Sequence, residues 1–368
     1  VRIGLIVNPV AGLGGAAGLK GSDGTEVQRE ALARGATARA GERAAAAVRA
    51  LLAARPDATV VTVPGAMGEA AARAGGAEPE LAALAPGEPS SAGDTRAAVR
   101  ALAAVDVLLF AGGDGTARDV LDAGPGVPVL GIPAGVKVYS GCFAVGPAAA
   151  GLAAAEFAGS TTEAEVVDLD EQAYREGRVS PRLYGTLTVP AARVRLSGRK
   201  TGSTTAAPTT VEGIAREVVA RMRPGVRYIL GPGSTTRAVG RALGSEGTLL
   251  GVDVVADGVP IGIDVSERAL LDLVDGHEVA AVVSVIGGQG FVLGRGNQQI
   301  SPRVLARVHE LTVLATREKL AALGGRPLLA DTGDPATDAR LGGYVRVVTG
   351  YRESVPYRIV PASEESVG

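Results

Sequence analysis

Tryptophan is absent from this chain of 368 residues, and aromatic side chains make up only 3% of it. So few rings leave no platform on which successive bases of a nucleic acid could stack. There is one cysteine, Cys142, and there are two histidines, His277 and His309. A lone cysteine forms no intrachain disulfide, and so few soft ligands build no His/Cys zinc cluster. Any metal is therefore expected to be a hard cation held by oxygen, Mg²⁺ first. Net charge is also nearly absent: 37 basic against 39 acidic residues leave −2 at neutral pH. That balance predicts no general attraction to nucleic acid or anionic membrane. The longest apolar stretch, Ala144–Ala155, is broken by Gly and Pro and falls short of the ~20 residues of a membrane span. The chain opens directly into the strand-like run Val1–Val7, with no visible leader. These features lead to the expectation of a cytoplasmic protein with small-molecule partners.

Glycine, by contrast, is abundant, with 53 copies, and several are grouped after apolar runs. The most informative group is Gly112-Gly113-Asp114-Gly115-Thr116, which follows Val105–Phe110. A buried strand, a glycine turn and a following helix direct backbone amides toward an anion, phosphate above all. Asp114 would repel that anion unless it accepts a substrate proton or holds a cation. Asp is also an ordinary helix N-cap, so the turn alone leaves a purely structural reading open.

Similar loops recur. Asn8–Gly15 follows the first strand and continues through Gly18-Leu19-Lys20-Gly21; Asn8 and Gly12 are placed to meet a phosphate, and Lys20 to supply a point charge. Gly231–Thr236 follows Tyr228–Leu230, with Ser234 expected as N-cap and Ser234, Thr235 and Thr236 offering hydroxyls to a nucleotide. Gly294–Gln299 gathers Arg295, Asn297 and Gln298 on what reads as an exposed loop after the Gly287-Gly288-Gln289-Gly290 turn. The basic cluster Arg193, Arg195, Arg199 and Lys200 reads as a solvated strand face.

Up to about residue 159, short apolar strands alternate with Ala-rich helical stretches such as Gly41–Arg55 and Thr95–Ala104. That alternation predicts a parallel sheet covered on both faces, with ligands at the carboxyl ends of its strands. From 160 to about 340, short β-type runs dominate and predict a second, β-rich domain. The strand-like runs within 341–368 fit either domain.

Gly112–Thr116, taken with Asn8-Pro9-x-Ala11-Gly12, resembles the superfamily of NAD kinases, diacylglycerol kinases and sphingosine kinases. Gly233-Ser234-Thr235-Thr236 is similar to the Gly-Ser-Thr-Ala motif of NAD kinases, with Thr236 in place of Ala. Gly18–Gly24 and Gly294–Gln299 resemble the AcoX-type branch of the ATP-NAD kinase family. The resemblance implies a Rossmann-like α/β domain followed by a β-rich domain, with the site between them. It implies ATP (or polyphosphate) as donor, NAD as acceptor and Mg²⁺ on the donor phosphates. It implies Asp114 as general base, with Gly112, Gly113, Gly115, Thr116 and Gly233 among the nucleotide contacts. It also implies a homodimer or homotetramer. One element is missing: the Asn-acidic pair that grips the dinucleotide in NAD kinases has no counterpart, since Ala144–Tyr228 contains no Asn. A kinase of another hydroxyl and a non-catalytic nucleotide-binding regulator therefore stay open beside an NAD kinase.

Overall fold

The computed structural model describes residues 1–15, 17, 29–31, 33, 36–135, 138–169, 181–191 and 208–364. Side chains at 168, 169, 181, 182, 208 and 209 are outside that description. Lys20 and the basic cluster at 193–200 also lie outside the described residues.

The first unit runs β1 (Arg2–Val7), α1 (Ala40–Ala54), β2 (Thr59–Thr62), α2 (Glu69–Ala74), β3 (Glu80–Leu81), α3 (Ala92–Ala101), β4 (Val107–Gly112), α4 (Asp114–Ala123), β5 (Val129–Pro133) and α5 (Pro147–Ala155). Its five strands pair in parallel in the order β3-β2-β1-β4-β5. Continuous apolar sequence is what a strand covered on both faces requires. The two faces separate cleanly in β1 and β4. Leu5, Val7, Leu109 and Ala111 enter one core cluster, while Ile6, Leu108 and Phe110 enter the other. The Ala-rich composition lets α1 and α5 pack at short range. A Cβ added to Gly151 would lie 2.1 Å from the Ala47 carbonyl oxygen, so a side chain there would force the helices apart.

A hairpin follows, β6 (Thr161–Leu169) and β7 (Pro181–Pro190), paired antiparallel as its own two-stranded sheet. Ala164, Val166, Leu187 and Val189 share a core cluster with Leu108 and Phe110, so the hairpin packs on the first unit.

The remaining chain forms α6 (Pro208–Arg221), β8 (Arg227–Leu230), α7 (Ser234–Ala242), β9 (Asp253–Ala256), β10 (Val259–Gly262), α8 (Glu267–Val274), β11 (Val279–Ser284), β12 (Phe291–Leu293), α9 (Pro302–Leu305), β13 (Glu310–Leu314), α10 (Arg317–Ala321), β14 (Leu328–Ala330), α11 (Pro335–Leu341), β15 (Gly343–Gly350) and β16 (Glu353–Pro361). Nine strands make one mixed sheet in the order β10-β9-β8-β11-β13-β15-β16-β14-β12. Its centre, β8-β11-β13-β15, is parallel, and the β15-β16 pair is antiparallel.

The chain is therefore a Rossmann-like parallel sheet followed by a larger mixed sheet. The C-terminal strands, which the sequence left between the two units, pair inside the nine-stranded sheet. At the end of β16, Val360 and the following Ala362 join the core of the first unit together with Phe291 and Leu329.

Candidate nucleotide site at the carboxyl edge of the parallel sheet

β1 stands at the point where the strand order reverses, with β2 on one side and β4 on the other. Crossovers leave such a pair in opposite directions and open a crevice at the carboxyl ends. The Asn8–Gly15 turn and the Gly112–Thr116 turn leave these two adjacent strands. They are tied together: Asn8 N–H donates to the Ala111 carbonyl at 3.0 Å, and Asn8 Nδ2 donates to Thr116 Oγ1 at 3.0 Å. Asn8 Oδ1 also accepts from the Val10 amide at 3.3 Å. Asn8 and Thr116, expected as ligand contacts, thus brace the two turns against one another.

Gly12 and Gly112 have steric reasons to be glycine. Gly12 has φ +81°, and a Cβ there would sit 2.2 Å from the Ala134 carbonyl oxygen. A Cβ on Gly112 would sit 2.3 Å from Thr116 Oγ1. The Gly112 carbonyl accepts from the amides of Ala134 and Gly135, closing the turn onto the end of β5.

Helix α4 begins directly after Gly113, its N-cap, with no side chain capping it. The first-turn amides of Gly115 and Thr116 therefore have no carbonyl partner within the helix, and the dipole there favours an anion. Asp114 opens this helix but is 6% exposed. Its carboxylate accepts from the Tyr139 amide (3.0 and 2.8 Å to the two oxygens), the Ser140 amide (2.9 Å) and the Ser140 hydroxyl (2.7 Å). Burial pushes the Tyr139 phenol and the Cys142 thiol well up, and the Asp114 charge adds to both shifts.

The loop at Gly231–Thr236 has the same architecture in the second unit. Gly233, not Ser234, is the N-cap of α7, and Ser234 is its first residue. The reason is steric: Gly233 has φ +131°, and a Cβ there would lie 2.6 Å from Ser284 Oγ. Thr235 and Thr236 are buried. Thr236 Oγ1 donates back to the Gly233 carbonyl at 2.9 Å, and Lys319 Nζ donates to Thr235 Oγ1 at 3.4 Å. These threonine hydroxyls therefore hold the loop itself.

The Gly294–Gln299 segment corrects the expectation of an exposed loop, because it is clamped between the units. Arg295 is 8% exposed, donates to the Val145 carbonyl at 2.9 Å, pairs with Asp331 at 3.2 Å and stacks over Phe291. Asp331 also receives Arg43 of α1 in a two-pronged pair at 3.0 and 2.5 Å. Burial is the main force lowering the Arg295 guanidinium to about 10, and the Arg43 charge pulls the same way. Asp331 and Asp114 oppose the shift. Asn297 is buried and closes its own loop: Oδ1 accepts from the Gly294 amide and Nδ2 donates to the Val292 carbonyl. Gln298 packs beside Gly15, where an added Cβ would lie 3.2 Å from the Gln298 Cβ. Gln289 Nε2 donates to the Val138 carbonyl at 3.0 Å, so the second unit reaches the segment that holds Asp114.

Tyr139, Ser140, Arg43 and Asp331 were not singled out from the sequence, since each acts on a partner far away in the chain. Among the described residues no three His, Cys, Asp or Glu side chains converge. These residues therefore do not form a carboxylate cage for Mg²⁺. Among the same residues no helix is long and apolar enough to cross a membrane.

A parallel sheet with a glycine-capped helix at its reversal point is thus joined to a mixed sheet with a second glycine-capped helix. The ATP-NAD kinase N-terminal domain matches residues 3–160, and the ATP-NAD kinase C-terminal domain matches residues 223–359. Together they cover more than half of the chain, which therefore belongs to the ATP-NAD kinase family. Membership carries ATP and nucleotide binding and phosphotransfer of the NAD kinase kind. No curated protein and no solved structure matches the chain.

Proposed function

We propose that the chain moves a phosphoryl group from ATP or polyphosphate to the 2′-hydroxyl of the adenosine ribose of NAD. In this reading Asp114 accepts the hydroxyl proton as the new phosphorus–oxygen bond forms and the donor's bridging bond breaks. The observation that carries it is the uncapped start of α4 at the reversal point of the sheet, with a carboxylate as its first residue. Amides of Gly113, Gly115 and Thr116 would take donor phosphate oxygens, with the Asn8–Gly15 turn as the opposite wall. Arg295, Asn297 and Gln298 would shape the interdomain side, and Gly233–Thr236 the second nucleotide wall. Mg²⁺ would be carried by the phosphates. Gly294–Gln299 keeps the AcoX-type branch as the finer assignment.

The finer organisation belongs to the same proposal: units at 1–159 and 160–340, terminal strands at 341–368, a cytoplasmic homodimer or homotetramer. The hairpin β6–β7 is better counted with the first unit, whose core it shares.

The test is incubation of the full chain with NAD, ATP and MgCl₂, then with polyphosphate in place of ATP, reading NADP by mass. NADP formation supports the reading, and its absence with every donor ends it. One observation favours a second reading, a nucleotide-binding protein that turns over another acceptor or none. The Asp114 carboxylate already accepts from Tyr139 and Ser140. Phosphate release on another alcohol, or nucleotide binding without turnover, would mark it.

A further inference from the structure

We infer that Ser140 is a positioning residue for Asp114, holding the carboxylate in place through its hydroxyl and tying it to the hairpin β6–β7. The inference rests on the reading of Asp114 as the base. Ser140 is fully buried. Its hydroxyl donates to Asp114 Oδ1 at 2.7 Å, and its oxygen accepts from the Val167 amide at 3.0 Å. The Val167 carbonyl lies 3.0 Å from the same Oγ.

A serine has one hydroxyl proton, and here two acceptors compete for it. An ionised carboxylate is the stronger acceptor, so the proton points at Asp114 while that group is charged. Once Asp114 takes the proton of the acceptor hydroxyl, its charge is gone and the Ser140 proton turns to the Val167 carbonyl. The rotation balances the step: one proton moves from substrate to carboxylate, and the serine keeps its own. While Asp114 is charged, the Val167 amide is held on the serine oxygen, and the Gly141 amide, bonded to the Glu165 carbonyl at 2.8 Å, fixes the next residue to the same strand.

Two features make this more than local packing. The ladder of β6 and β7 shifts register between Val166 and Val167, at the residue that meets Ser140. The hairpin also lies at 161–190, outside the two family matches at 3–160 and 223–359. The element that steadies the base is thus one that the shared family domains do not include. Among the described residues, Tyr139 and Cys142, beyond β5, and Arg295 from the second unit feel the Asp114 charge.

The experiment uses the full chain as wild type, Ser140→Ala and Asp114→Asn. NADP formation is followed across pH, and amide hydrogen exchange is read at Val167. Ser140→Ala is expected to lose about tenfold in kcat, the scale of one hydrogen bond to a charged group, with KM for NAD within about twofold. Removing a donor to the ionised form raises the proton affinity of Asp114. The acid limb of kcat therefore moves to higher pH. Unchanged kcat and profile, or a fall in kcat with an unmoved acid limb, overturns the proposal. Asp114→Asn is expected to speed exchange at Val167, because the charge that orders the Ser140 rotor is gone; unchanged exchange also overturns it. The exchange arm decides the coupling even if Ser140→Ala fails to fold. Absence of NADP in wild type would instead end the kinase reading, leaving the exchange result to stand by itself.

Discussion

At the scale of single residues, the site shows why side chains of ordinary type sit where they do. Asn8 and Thr116, 108 positions apart, are joined by one bond, and that bond braces the two turns on either side of the reversal point. Asp94 behaves in the same local way at the start of α3. It accepts from the Ser91 hydroxyl and the Ser91 amide while Ser91 Oγ accepts from the Asp94 amide, a reciprocal cap. The Ser91 hydroxyl, then the Gly87 and Ser91 amides, hold the Asp94 carboxyl below its ordinary value of 3.8. A carboxyl depressed in the folded state stabilises above its unfolded pKa and loses that contribution as pH falls through the folded one. Asp94→Asn should therefore unfold at lower urea than wild type at neutral pH, with the gap narrowing as pH falls below 3.8. Paired urea titrations across acidic pH check this, and a gap that widens instead would contradict it.

At the scale of elements, strands and their exits were legible because they rest on local pattern. Val107–Gly112 is buried at every position, and its run of apolar residues says so directly. The helix behind it follows from the glycine turn. What pattern could not show is which side chains cross between elements. Ser140 sits in an unremarkable stretch, and its partners Asp114 and Val167 are 26 and 27 positions away. Arg295 read as exposed because charge in a glycine-rich loop usually is; its burial depends on Asp331 and on the Val145 carbonyl, neither of which has a local signature. Ser234 looked like an N-cap from residue type alone, and the positive φ before it gave that role to Gly233. The same reasoning applies to Gly12. Gly12→Ala combines φ +81° with a Cβ at 2.2 Å from a backbone oxygen. It should cost about 1–3 kcal/mol, read by urea unfolding, and should weaken nucleotide binding by shifting the first turn. Wild-type stability in that variant would contradict the close approach.

At the scale of the whole molecule, the two units are joined by buried charge as well as apolar packing. Arg43 from α1 and Arg295 from the second sheet's side share Asp331, while Arg39 donates to the carbonyls of Thr332 and Gly333 at 2.9 Å each. Removing one partner of a buried ion pair leaves an uncompensated charge, costing about 3–5 kcal/mol. Asp331→Ala leaves two guanidinium groups in that position and should show such a loss in urea; a change below about 1 kcal/mol would mean the pairs are solvated in solution. Gln289→Ala probes the same junction more gently. It removes the bond to the Val138 carbonyl and should lower kcat more than stability, seen by comparing turnover with unfolding midpoint. Unchanged kcat would detach the second unit from the Asp114 segment.

The most direct measurement is mass-resolved product formation by the intact chain given NAD, MgCl₂ and either ATP or polyphosphate. A product heavier than NAD by one phosphoryl group, carrying the phosphate on the adenosine ribose, is the expected result. NAD recovered unmodified with both donors, from protein shown to be folded, would contradict it.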